Sequence, residues 1–315
     1  MTPNFHDLAE EIHEKLWTYI YNRKALEGAE YEAIKEKVTG LADEAETKEE
    51  FIAGFNKIWL DGPFSHIRLE PAQQSAEELA NFLDQMKVGE GGAVLSWEDD
   101  IPILTVNTMM GTDTIEAVTQ AYDKIIERNP KALIIDLRNN DGGAFAGMPL
   151  SGHIIQNSFD AGIFVSQKWT NQHEELPSLQ KIKAAHPWKG WSLKTFWRDV
   201  QENEFTRIVF EPMEPVFNAP IYALVSHKTA SAAEMTADAL VTSGRAVLIG
   251  ETTAGQMLSQ KMYDLSHDLQ LFLPIADYYS ARIGRIEGKG VSPSVKVNSE
   301  EALNTALELI RNQES

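Results

Sequence analysis

Residues 221–244, IYALVSHKTASAAEMTADALVTSG, decide the fold class. The apolar run IYALV is followed by a polar turn and then by a helix-like stretch that opens at Ser231. A strand, a short turn and a helix form the unit from which parallel sheets with crossover helices are built. In such sheets ligands bind beyond the carboxyl ends of the strands, and Ser231 lies at such an end. Its local surroundings predict something plainer. A serine at the start of a helix is a good N-cap, and Glu234, three residues on, completes a capping-box pattern.

Working outward, the same alternation recurs. KALIIDLR (131–138) and AVLIGE (246–251) read as strands, and TDTIEAVTQAYDKIIERN (112–129) reads as a helix. GAVLSWEDDIPILTVNTM (92–109) has the shape of a hairpin with an acidic turn, and QKMYDLSHDLQLFLPIADYYSA (260–281) that of another. SEEALNTALELIRN predicts a closing amphipathic helix with Ser299 as its cap. Ahead of residue 88 the texture differs: Leu8, Ile12, Leu16 and Ile20 recur at intervals of four, and helical periodicity continues to about Met86. Gly62 and Pro63 interrupt it, and a new helix is expected near Ser75. The expected organisation is therefore a helical N-terminal domain, 1–88, followed by an α/β core, 89–315. Residues 151–220 fit the alternation poorly and read as an insertion rich in aromatic side chains, among them Trp188, Trp191, Phe196 and Trp197.

Composition narrows the function. With 315 residues, 43% of them hydrophobic, the chain can bury a substantial core. A net charge of −19 argues against nucleic acid as a partner, because phosphate binding needs clustered Lys and Arg. The apolar runs are far shorter than the ~20 residues of a membrane-spanning helix. The amphipathic, acidic start MTPNFHDLAEEIHEKLW does not resemble a secretion signal, so a cytoplasmic protein is expected, or a periplasmic or secreted one if a leader has been removed. The absence of cysteine removes disulfides and thiolate metal sites, and no histidine pair has the spacing of a zinc site, so no cofactor or metal is expected.

A nucleophilic serine needs a base, a group that orients the base, and two donors aimed at the developing oxyanion. The order ALIIDLRNNDGG, TASAAEMTADAL, LIGETTAGQ, IEGKGVSPSVKV resembles the core of the tail-specific, or C-terminal processing, serine peptidases, over roughly residues 91–297. That group includes the tricorn protease core and the retinoid-binding-protein repeats. The resemblance implies a crotonase/ClpP-like α/β core and makes Ser231 the nucleophile. It also implies oxyanion donors at Ala232 and at Gly142 or Gly143.

One branch of that family uses a lysine after the GETT-like motif as base. The matching residue here is Gln256, which cannot take a proton. The tricorn-like branch uses a histidine directly after a serine in the helical front, with a glutamate in the I-E-x-x-G-V turn. Ser65-His66 and Glu287 stand in register with that pattern, so the resemblance implies a set of Ser231, His66, Ser65 and Glu287. Asp136 and Arg138 are expected to tie down the DLR turn. LDQMKVGEGG joins the two parts directly, leaving no room for the PDZ domain that many members insert. The expected substrate is a peptide or an unfolded protein. A ligand carrier on the same scaffold, or a hydrolase of small esters or amides, is the alternative.

Overall fold

The computed structural model describes residues 5–312. The periodic apolar positions of the front helix Phe5–Tyr19 face inward: Leu8, Ile12 and Leu16 are buried, as is Ile20 just beyond it. Helices Ala29–Glu44 and Lys48–Trp59 complete the first helical layer. The next helix, Ala76–Gln85, starts where the sequence places it, with Ser75 and Glu78 closing a capping box. Between the last two helices the chain forms the strand Arg68–Pro71, which pairs antiparallel with Leu269–Phe272. The front therefore joins the core through backbone hydrogen bonds, and the apolar faces of its helices run on into the core's main cluster.

The core holds two six-stranded sheets. One runs in the order Val295–Lys296, Ala246–Gly250, Ile221–Val225, Leu133–Asp136, Ile101–Val106, Ala93–Glu98. All its pairings are parallel except the last, which is the expected 92–109 hairpin. Alternate side chains face opposite ways. Ile134, Tyr222, Leu224 and Ile249 pack under the C-terminal helix Ala302–Asn312, whereas Ile135, Ala223, Val225 and Leu248 face the opposite cluster. That closing helix begins three residues past Ser299. Asn298 Oδ1 accepts the Glu300 N–H at 3.2 Å, while the Ser299 hydroxyl turns to the Glu251 carboxylate instead of the helix, so Ser299 is not its cap.

The second sheet is antiparallel and centres on the long strand Leu269–Ser280. Leu258–Leu265 forms the expected hairpin with it. The stretch expected to be an insertion supplies two of its strands, Phe159–Ser166 and Phe205–Phe210. Helix Ala232–Thr242 lies between the sheets, touching Ile221–Val225 and Ala246–Gly250 on one side and Phe159–Ser166 on the other. Every residue from Ala232 to Leu240 is consequently buried. No helix among the described residues is long and apolar enough to cross a membrane.

Candidate active site

Strand Ile221–Val225 is buried along its whole length, which fixes the point from which the next turn departs. That turn is stitched to the one following strand Leu133–Asp136. Thr229 Oγ1 donates to the Leu137 carbonyl at 2.8 Å, Ser226 Oγ to the Arg138 carbonyl at 2.5 Å, and the Ala230 N–H to the Asn140 carbonyl at 3.0 Å. Arg138 in turn grips Asp136 through two nitrogens, at 2.9 and 2.7 Å, and so serves the turn as expected. Ser231 then adopts φ +55°, ψ −124°. An N-cap has extended backbone with negative φ, and a side chain at positive φ is strained by about 1–3 kcal/mol. Ser231 is thus held on a sharp strand-to-helix turn of the kind that exposes a nucleophile.

Glu234 does more than complete a cap. Its fully buried carboxylate accepts four hydrogen bonds: Thr253 Oγ1 at 2.5 Å and Gly255 N–H at 2.8 Å on Oε1, Ser231 N–H at 3.1 Å and Gln256 N–H at 2.8 Å on Oε2. Burial pushes this carboxyl above its ordinary range, against the pull of those donors. The loop 253–256 is therefore tied to the Ser231 turn through one side chain. The Gln256 side chain, at the place of the lysine in the other branch, is exposed.

The glycine turn is shaped by contact with Ser231. At Gly142 a Cβ would lie 2.7 Å from Ser231 Cβ and 2.8 Å from the Ala230 oxygen, and at Gly143 it would lie 2.6 Å from Met110 N. Both glycines have positive φ, at +103° and +133°. The Gly142 N–H donates to Asn140 Oδ1 at 2.9 Å, so it is already engaged and does not serve an oxyanion in this arrangement. Gly143 lines the cleft with Ser231 and Ala232, and the N–H of Ala232, at the first turn of its helix, has no carbonyl a turn earlier to take it. Asn140 carries no local signal of its role in the sequence. It is fully buried, and its Nδ2 donates to the Val106 carbonyl at 2.9 Å, locking the turn to a neighbouring strand.

Ser65 and His66 sit in the loop between helix Lys48–Trp59 and strand Arg68–Pro71, with buried Phe64 and Ile67 on either side. His66 has φ +65°. Ser65 Oγ lies 2.5 Å from His66 Nδ1 and donates to Glu287 Oε1 at 2.6 Å, and Glu287 Oε2 accepts the Met257 N–H at 2.6 Å. The proton positions follow from valence. A carboxylate only accepts, so the Ser65 hydroxyl gives its proton to Glu287 and accepts one from His66 Nδ1. Nε2 is left with a free lone pair. His66 is held below its ordinary value near 6.5, with burial the main cause; Glu287 opposes the shift and the Arg68 charge adds to it.

His66 and Ser231 line the same cleft, of about 530 Å³. Its wall combines Leu79, Leu83 and Met86 from the front with Trp188, Phe196 and Trp197 from the 151–220 stretch. Trp188 stacks on Phe145 at 5.1 Å and meets Phe196 edge-on, so the aromatic cluster is both packing and lining. Trp191 is half exposed. No lysine lines the cleft among the described residues.

The sequence profile of peptidase family S41 matches residues 100–297. Carboxyl-terminal-processing peptidase 1 of Arabidopsis thaliana chloroplasts is 32% identical over 176 residues, 56% of this chain and 29% of its own length. The chain spans about a third of the length of the curated relatives it matches. In three dimensions, a lipoprotein from Streptococcus agalactiae superposes with a TM-score of 0.62 at 16% identity, covering 99% of this chain and 98% of that one. The tricorn protease superposes with a TM-score of 0.63 at 13% identity, covering 99% of this chain and 37% of its own. At these identities the likeness is one of fold.

Proposed function

As the chain belongs to peptidase family S41, we propose that it hydrolyses peptide bonds through an acyl-enzyme on Ser231, with His66 as general base. The observation that carries this reading is the unbroken line Glu287–Ser65–His66, which ends in the cleft that Ser231 also lines. Ser231 Oγ attacks the scissile carbonyl as His66 Nε2 takes its proton. The imidazolium is stabilised through Ser65 by the Glu287 charge, while the N–H groups of Ala232 and Gly143 receive the oxyanion. The tetrahedral adduct collapses as Nε2 returns the proton to the leaving amine. A water molecule, deprotonated by the same nitrogen, then releases the acyl group and restores Ser231.

The substrate of this reading is a peptide or an unfolded chain. The apolar cleft, roofed in part by Trp188, Phe196 and Trp197, favours an extended segment with bulky apolar side chains. Residues 5–88 then act as a front domain that brings His66 and Ser65 to a core holding Ser231, Glu287 and the oxyanion donors.

Incubation with a fluorophosphonate followed by peptide mapping tests the proposal. Labelling confined to Ser231, lost in Ser231→Ala, is expected, because an activated hydroxyl beside oxyanion donors attacks phosphorus far faster than a capping hydroxyl. A folded sample that takes no label, or takes it at Ser151 or Ser243, overturns it in favour of a ligand carrier. Labelling together with cleavage of small esters but of no peptide leaves an esterase instead.

A further inference from the structure

Behind the line Ser65–Glu287 lies a second connection, anchored on the buried Tyr21 and Asp277, that the chemistry above does not use. Arg285, two residues before Glu287, donates through Nε to Asp277 Oδ2 at 2.6 Å and through a terminal nitrogen to the Tyr21 hydroxyl at 3.1 Å. Tyr21 belongs to the front. Its ring meets Phe64, the residue before Ser65, edge-on with centroids 5.6 Å apart, and its N–H donates to the Pro274 carbonyl at 3.1 Å. Asp277 sits in mid-strand, 1% exposed, on the strand that also pairs with Gly284–Arg285.

Tyr21 thus touches the segments that carry both partners of the Ser65–Glu287 bond, Phe64 on one side and Arg285 on the other. We propose that Tyr21, Arg285 and Asp277 are positioning residues that set the Glu287 turn against Ser65-His66, so that the orienting carboxylate of the base depends on a front-to-core cross-link. The inference rests on the peptidase reading.

Two physical points favour it. Asp277 costs stability where it stands: burial pushes its carboxyl up to about 6 despite the Arg285 guanidinium, with Glu287 adding to the shift. A buried carboxylate retained against that cost is accounted for if it must anchor Arg285. The segment 286–291 is also tied on one side to the 253–257 loop, by the Gly288 N–H to the Gly255 carbonyl at 2.8 Å, the Val291 N–H to Thr253 Oγ1 at 2.7 Å and the Met257 N–H to Glu287 at 2.6 Å, and Arg285 at its entry adds the link to the front through Tyr21. The charged and titratable groups facing Asp277 are Arg285, Tyr21, Tyr279 and Glu287, and those facing His66 are Glu287 and Arg68.

The experiment is a double-mutant cycle of Tyr21→Phe and Arg285→Met, measured as kcat and KM on a peptide substrate across pH. Each single variant is expected to lower kcat about tenfold or more with KM unchanged, since small displacements of a catalytic group cost that much. The double variant is expected to be no worse than Arg285→Met alone, because both changes remove one connection. The acid limb of kcat/KM should also move to lower pH, as Glu287 drifts from the imidazole it supports. A merely structural role would not move that limb. Tyr21→Phe removes one oxygen and keeps the ring, so it reads the inference even if Arg285→Met folds poorly. Wild-type kcat and an unshifted limb in a folded Tyr21→Phe overturn the proposal, as do additive losses that track only the melting temperature. Fluorophosphonate labelling of the wild type separates the two levels: no label at Ser231 sinks the peptidase reading, whereas a labelled wild type with an indifferent Tyr21→Phe sinks this one alone.

Discussion

The Ser231 turn and the Ser65-His66 loop lie in one cleft but are held in opposite ways. Ser231 stands between a strand and a helix that are both buried, and Glu234 binds it to the 253–256 loop through four hydrogen bonds. The proposed nucleophile, the glycine turn and Ala232 are thus positioned within the core alone. His66 occupies a loop at positive φ, half-buried, and its orientation comes from Ser65, which depends on Glu287 across more than 200 residues of chain. That arrangement survives only while the front stays docked through strand Arg68–Pro71, the Arg68 bond to Gln260 Oε1 and the bonds from Ser192 and Leu193 to Asp84. A nucleophile can be fixed locally, whereas a base borrowed from another part of the chain is only as well placed as the docking.

The largest expected effect removes the borrowed half. His66→Ala should lower kcat by ~10⁴ or more while the protein keeps its fold, the usual cost of deleting a triad-type base. Adding Gln256→Lys should restore nothing, because the Gln256 side chain is exposed. Steady-state rates on a peptide decide it, and full activity in His66→Ala breaks the comparison at its root.

Glu234→Gln strikes the local half instead. An amide offers one accepting oxygen and one NH₂, yet each Glu234 oxygen now faces a backbone N–H: Gly255 on Oε1, Ser231 and Gln256 on Oε2. Either orientation of the amide opposes donor to donor, so a loss of at least about 2 kcal/mol in stability is expected along with impaired turnover. Denaturant unfolding measures the first and active-site titration the second. A Glu234→Gln protein as stable as wild type would mean that the core does not hold Ser231 in the way described.

The smallest effects sharpen the electrostatics of the base. Burial keeps His66 below its ordinary value, so the acid limb of kcat/KM should fall below pH ~6.5, with activity present above it and lost as the pH drops through it. Glu287 supports the charged imidazole and Arg68 opposes it. Glu287→Gln should therefore slow turnover about tenfold or more and shift the limb down. Arg68→Gln should shift it up by less than about one pH unit, since Arg68 is partly exposed and screened. Shifts of the same sign in both variants would remove the electrostatic account of His66.

How much of this the sequence shows depends on the range of the interaction involved. Ser75 and Glu78 form their capping box as read, because a cap involves residues three apart. Ser299 fails as a cap because its hydroxyl goes to a distant carboxylate, Glu251, and a neighbour, Asn298, takes the turn's N–H. Gly142 and Gly143 look equivalent in the sequence, and only Asn140, buried beneath them, distinguishes the two by taking one N–H. The notation S-A-A-E marks Glu234 as a capping partner but gives no sign of Thr253, Gly255 or Gln256 arriving on the same carboxylate.

By itself, then, the sequence determined what periodicity and neighbouring chemistry can encode. The helices of the front, the strand-turn-helix units of the parallel sheet, both hairpins and the residue types needed for a serine, a base and an orienting carboxylate are all local patterns of apolar spacing, breakers and short motifs. The tertiary structure alone decided which distant pieces meet. Residues 159–166 and 205–210 become strands of a sheet with 269–280, Arg68–Pro71 joins the far end of the same strand, Ser65 meets Glu287, and Tyr21 meets Arg285. Register between strands a hundred or more residues apart, and the allocation of each buried donor to one acceptor, are set by the packing of the whole core, and no local window of sequence contains them.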